Sequence, residues 1–137
     1  MGIKVAVCVD DKLGMLFFGK RQSRDRVLIE ELIEYAEGRK IYINSFSKLL
    51  FPNDETVKVC EDPLAEAKDG DVCFIENLPL APHTGKISTL IIYRWNRAYP
   101  TDKKLDVSPS AHGFKLISVK EFAGSSHEKI TKEIYER

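Results

Sequence analysis

The chain is 137 residues long, and its 21 lysines and arginines are balanced by 21 aspartates and glutamates. That balance leaves no overall field to draw the protein onto nucleic acid or an acidic membrane, so any anion site has to be built locally. A chain of this length buries roughly two-thirds of the surface its unfolded form exposes, enough for one core, and a single domain over residues 1–137 is expected.

The opening stretch from Met1 to Asp10 carries an apolar run too short for a signal peptide or a membrane span, and no later segment approaches ~20 apolar residues. A cytoplasmic protein with no membrane partner is the expectation. Cys8, Cys60 and Cys73 are odd in number and far apart, with no Cys-x-x-Cys pair, so neither a disulfide framework nor a zinc site is written in them. They read as buried, reduced, structural thiols.

In chain order, Ile3–Val9 is a β-branched apolar run suited to a central strand buried on both faces. Met15–Gln22 reads as an irregular loop in which Phe17 or Phe18 packs on the core or lines a cleft. Ser23 is a candidate N-cap for a helix over Arg24–Glu37, whose apolar residues Val27, Leu28, Ile29, Leu32, Ile33, Tyr35 and Ala36 have helical spacing and stop at Gly38. Arg39–Asn44 is a strand candidate, Ser45–Leu50 a short helix, and Pro52-Asn53-Asp54 a turn. Thr56–Val59 follows as a short strand. Asp62 and Pro63 look like the cap and first residue of a second short helix ending near Ala67, and Val72–Ile75 is a third buried strand.

Two prolines break Asn77–Gly85, and Lys86–Trp95 is a long, mostly apolar strand. Asn96–Gly113 is an extended polar loop, either functional or pinned by Leu105 and Val107. Phe114–Glu121 and Glu128–Tyr135 then alternate as two strands joined through Ala123–Ser126. The order predicts an α/β protein of three αβα layers, with a mixed, mostly parallel central sheet and a C-terminal antiparallel strand pair.

Val5-Ala6-Val7-Cys8-Val9-Asp10 followed by Leu13-Gly14-Met15, and the closing strand, polar loop and antiparallel pair from Thr89 to Arg137, resemble dihydrofolate reductase. The resemblance implies that Asp25, ten residues after Met15, stands where that family's carboxylate binds a pterin ring and assists its protonation. Met15, Phe17 and Phe18 would then wall the ligand cleft. It also marks departures. The Pro-Trp pair before the helix is replaced by Gly19-Lys20-Arg21-Gln22, and the segment after the second strand is shortened. Asn44-Ser45-Phe46-Ser47 replaces the Gly-Arg-x-Thr turn, and Glu76-Asn77 replaces the paired glycines. A glutamate there would repel pyrophosphate, because phosphate sites at helix ends depend on bare amides and a positive dipole. The nicotinamide site is therefore expected to be degenerate, with no cofactor.

The chain also resembles a group of small bacterial proteins that in some cases carry a ribonuclease Z label. Enzymes of that name need a His-x-His-x-Asp-His cluster to hold zinc, whereas His83, His112 and His127 are isolated in this sequence. No metal is expected.

Lys20, Arg21, Arg24 and Arg26, together with Arg94 and Arg97 around Trp95, are candidates for an anion or RNA patch. Glu30, Glu31 and Glu34 sit close by, and Arg26 to Glu30 has ordinary helical ion-pair spacing, which favours a solvated charged face. Three roles stay open: a small-ligand or partner-binding module, a reductase acting on a pterin-like or other small heterocycle, and an RNA-binding or RNA-processing protein.

Overall fold

A computed structural model describes residues 2–137. Its centre is a seven-stranded sheet built from β1 (Ile3–Val9), β4 (Ile41–Ile43), β5 (Val57–Val59), β6 (Val72–Phe74), β7 (Ile87–Arg94), β9 (Lys115–Phe122) and β10 (Ile130–Glu136), in the order β5-β4-β6-β1-β7-β10-β9. The first five strands in that order are parallel; β10 runs antiparallel to β7, and β9 antiparallel to β10. The mixed sheet expected from the sequence is present.

Alternation along β1 explains the two cores. Val5, Val7 and Val9 point into a cluster with Leu64 and Ala67, contributed by α2 (Pro63–Glu66) and the residue after it, and with Leu105, Val107 and Phe114. Ala6 points to the other face, where Leu28, Ile29, Leu32 and Ala36 of α1 (Arg26–Ala36) cover the sheet beside Ile91 and Tyr93. Burial of Leu105 and Val107 pins the long 96–113 loop, so its length needs no lid to explain it.

Three local expectations are corrected. Helix α1 is capped by Asp25, which has the extended φ of −152° and accepts from Val27 N and Leu28 N, and not by Ser23. Both residue types cap well; the choice falls two residues later because the carboxylate is held from elsewhere in the fold. Asp62 precedes α2 but makes no side-chain capping bond. The Met15–Gln22 segment is not irregular: β2 (Gly14–Phe17) and β3 (Lys20–Arg21) form a hairpin about Phe18 and Gly19, both with positive φ, and β8 (Lys103–Lys104) pairs on the other side of β2. A three-stranded sheet whose third strand lies more than 80 residues away leaves little local signature.

Cys73 is fully buried, and burial pushes its thiol up to about 12. Since the thiolate is the reactive form, iodoacetamide at neutral pH should leave Cys73 unmodified in the native protein and label it only after denaturation. Labelling of native Cys73 in mass spectra would contradict the packing described here. No helix among the described residues is long and apolar enough to cross a membrane.

Candidate functional site

In open α/β sheets ligands settle in the crevice outside the carboxyl ends of the strands. Here that crevice begins just past β4, β6, β1 and β7, at Asn44, Glu76, Asp10 and Trp95. Side chains of the protein itself fill it. The Arg21 guanidinium, on β3, donates from Nε to Glu76 Oε1 at 2.9 Å and from Nη2 to Glu76 Oε2 at 3.0 Å. A further bond runs from Nη2 to the Phe46 carbonyl at 2.7 Å, and the guanidinium lies 4.7 Å from the centre of the Phe46 ring. Ser47, fully buried, donates its hydroxyl to Glu76 Oε2 at 2.6 Å. The two-pronged geometry is the strong form of an arginine–carboxylate pair. What is left between Cys8, Met15, Ser23, Glu76 and Trp95 is a void of about 10 Å³, room for about one water.

On the other side of that void, six hydrogen bonds converge on the Asp25 carboxylate. Oδ1 accepts from Val27 N at 3.0 Å, Leu28 N at 3.2 Å, Ser125 N at 2.9 Å and Ser125 Oγ at 3.2 Å; Oδ2 accepts from Ser126 N at 2.8 Å and His127 Nδ1 at 3.0 Å. Burial pushes the carboxyl pKa up, but the bonds from His127, Ser125, Ser126 and Leu28 outweigh it and hold the group well below the usual carboxylate range. Gly124 is required at the turn, since a Cβ there would collide with the Asp25 carboxylate.

His127 completes the network. With its Nδ1 proton given to Asp25, Nε2 accepts from Ser23 Oγ at 3.1 Å and Tyr99 Oη at 2.9 Å, and Trp95 stacks on the imidazole at 4.4 Å between centroids. Ser23, His127 and Asp25 thus have the connectivity of a nucleophile relay. Tyr99 shares the one lone pair that would have to take the serine proton, and the void beside Ser23 holds no substrate. The chemistry available to the network is that of a clasp joining the start of α1 to the turn between β9 and β10.

Two open clefts border this clasp. A cleft of about 510 Å³ runs between α1 and the Leu49–Pro52 segment, its walls made by Ile29, Ile33, Leu49, Leu50 and Phe51, with Arg24 and Arg26 among the polar residues lining it. Leu49 is 90% exposed, an unusual position for a leucine unless something covers it. Arg26 pairs with Glu30 at 3.1 Å, both side chains being largely exposed, whereas Arg24 makes no ion pair among the described residues. A second, more polar cleft of about 520 Å³ lies between Trp95–Arg97 and Ser126–Lys129.

The residues singled out from the sequence are therefore scattered among different tasks. Asp25 stands at the end of the apolar cleft, with its side chain fully buried and its carboxylate accepting six bonds from its own chain. Phe17 and Phe18 stack on each other at the hairpin with centroids 4.2 Å apart, Phe18 being 77% exposed, so neither enters the core. Met15 borders the small void. Of the proposed anion-binding set, Arg21 is spent on Glu76 and Arg94 on Glu133 at 2.9 Å, Arg97 lies 5.6 Å from the Tyr99 ring, and Lys20 is exposed. Arg24 and Arg26 line the apolar cleft, Arg26 being paired with Glu30. Sequence reasoning missed Glu76 as a partner of Arg21, His127 as the hub of the clasp, and the cleft wall; the i, i+4 pair Ile29 and Ile33 beside the run Leu49-Leu50-Phe51 was the available signal. Among the described residues no group of three potential metal ligands comes together.

A parallel sheet closed by an antiparallel strand pair, with one long helix opposite the crevice wall, defines the dihydrofolate reductase-like class of α/β fold. Over 99% of this chain and 96% of the other, the structure is similar to dihydrofolate reductase from Enterococcus faecalis solved in complex with NADP(H) and RAB-propyl, with a TM-score of 0.68 and 12% sequence identity. At that identity the likeness is one of fold. Neither a protein-family model nor a curated protein matches the chain.

Proposed function

We propose that this chain is a binding module on a dihydrofolate reductase-like frame, taking a small amphipathic anion in the cleft between α1 and Leu49–Pro52 and carrying out no hydride transfer. The observation that supports the reading is the cleft of about 510 Å³ beside α1 with its apolar walls, whereas the space around Glu76 is reduced to about 10 Å³ and the cleft of about 520 Å³ past Trp95 is more polar. Ligand sites are mostly apolar concavities of ~300–1,000 Å³ with a few placed polar groups, and the first space fits that description.

The apolar walls select an aromatic or aliphatic body, and Arg24 at the edge selects a carboxylate or phosphate head. A nicotinamide dinucleotide, by contrast, would have to displace the Glu76–Arg21–Ser47 set, whose glutamate already occupies the anion's place. The nicotinamide site is degenerate in this reading because its cation is satisfied from within the chain.

Thermal-shift and calorimetric titrations with arylcarboxylates, a pterin and both reduced nicotinamide dinucleotides test it. A ligand at ~100 times its dissociation constant adds about 2.7 kcal/mol to stability; an arylcarboxylate should produce such a shift in wild type and lose it in Ile33→Glu, with Arg24→Glu weakening binding about tenfold or less, as one partly exposed ion pair allows. Micromolar binding of a reduced dinucleotide would overturn the reading in favour of a reductase.

A further inference from the structure

Strand β9 ends the sheet. β10 covers one of its edges and nothing among the described residues covers the other. Every residue from Lys115 to Glu121 is exposed on both faces. Leu116, Ile117 and Val119 are 50%, 55% and 55% exposed. Edge strands left free in solution are commonly shortened or broken by proline; β9 is eight residues long and has none. One bulge, where β10 passes from Ile134 to Tyr135, lies opposite Leu116–Ile117 and leaves Ser118–Phe122 in regular register.

We propose that the free edge of β9 pairs antiparallel with β9 of a second copy of this chain, about a two-fold axis at Ser118, joining two seven-stranded sheets into one. The sequence of the strand, Lys-Leu-Ile-Ser-Val-Lys-Glu-Phe, is self-complementary in that register. Lys115 falls opposite Glu121 at both ends, Leu116 opposite the stem of Lys120 next to them, Ile117 opposite Val119 on both sides of the centre, and Ser118 opposite itself. Opposite charges and β-branched pairs facing each other are the units that stabilise antiparallel pairing.

The neighbouring registers are penalised. A slip of two residues, the smallest that keeps each side chain on its own face, sets Lys115 against Val119 in one direction and Ile117 against Glu121 in the other, so either slip loses both Lys115–Glu121 pairs. The charges thus choose one alignment, which is what a specified contact between copies requires and a merely solvated edge does not. Both partners of the terminal ion pairs are available: Lys115 makes no ion pair among the described residues, and Glu121 makes only the 3.4 Å contact with Lys129, both of those side chains being more than half exposed. Lys120 is drawn aside to Glu31 at 3.5 Å.

Sedimentation equilibrium of the whole chain, whose monomer mass is 15.6 kDa, tests the pairing across micromolar to millimolar concentrations. Wild type should dimerise. Lys115→Glu and Glu121→Lys, each turning two symmetry-related attractions into repulsions, should each raise the dimer dissociation constant about tenfold. The double reversal should restore the wild-type constant. The positions are exposed, so the circular dichroism spectra of all three variants should match wild type. A monomer at every concentration, a dimer indifferent to both single reversals, or a double variant as weak as the singles would each overturn the proposal.

Discussion

Asp25→Ala should lower the unfolding free energy by about 3 kcal/mol or more, since each buried donor left without its acceptor costs about 1–3 kcal/mol. The change strands Val27 N, Leu28 N, Ser125 N, Ser126 N and His127 Nδ1 together, since all five point at the same carboxylate. Against a total of ~5–15 kcal/mol for a domain of this kind, such a loss is close to decisive. Asp25→Asn should cost less, about 1–3 kcal/mol, because the amide keeps one acceptor oxygen but turns a donor toward Ser126 N or His127. Urea unfolding of the three proteins measures both. A cost of only a few tenths of a kcal/mol for the alanine variant would mean that the residue merely complements the helix dipole.

The same carboxylate sets an acid limit. Its native pKa lies below its unfolded value, near ~3.9 for an aspartate, so the native state holds the ionised form more tightly than the unfolded chain does. The resulting stability is fully present above about pH 4 and is lost as pH falls through the native value. Wild type should therefore destabilise more steeply than Asp25→Asn below about pH 4, and parallel acid profiles of the two proteins would remove Asp25 as the cause.

How far the sequence could reveal this depends on the distance between partners. β1, β7, α1 and the β9–β10 pair carry their own periodicity, and each was legible from its apolar spacing. Asp25 stood legibly at the start of α1, although as its cap and not inside the first turn. Its task was not legible, because the groups that define it, Ser125, Ser126 and His127, lie a hundred residues away and look like ordinary turn residues. Resemblance to a family implied a ligand at this carboxylate, and the fold brings the Ser125–His127 turn to it. Glu76 tells a similar story from the other side: its sequence position suggested repulsion of an anion, and only the fold brings Arg21 and Ser47 to it and so makes it the anion. The small sheet of β2, β3 and β8 was illegible because its longest strand has four residues and its pairings are remote.

The second large effect is expected at the middle of α1, where Glu31 is mostly enclosed and Lys132 is buried. Lys132 Nζ donates to Glu31 Oε2 at 2.8 Å and lies 4.0 Å from the centre of the Tyr35 ring, while Tyr93 donates its hydroxyl to Glu31 Oε1 at 2.6 Å. Burial first, and then the Glu31 charge, push the Tyr93 hydroxyl well above its ordinary pKa, so it remains a donor at any pH the fold survives. Glu31→Leu removes the only carboxylate within ion-pair reach of Lys132 among the described residues and should cost about 3–5 kcal/mol, because an ammonium is then left inside the protein without compensation. Lys132→Met in the wild-type background should cost less, since Glu31 keeps Tyr93 and can turn toward Lys120, which already approaches it at 3.5 Å. Combining the two should recover most of the loss, as apolar side chains of similar volume replace a buried pair at little cost. A double-mutant cycle read by urea unfolding reports the coupling directly. If the two costs simply add, Lys132 reaches solvent by another route and α1 is held to the sheet by its apolar face alone, through Leu28, Leu32 and Ala36. If they cancel as expected, the pair fixes the rotation of α1 about its axis, and with it the angle at which Ile29 and Ile33 face the ligand cleft.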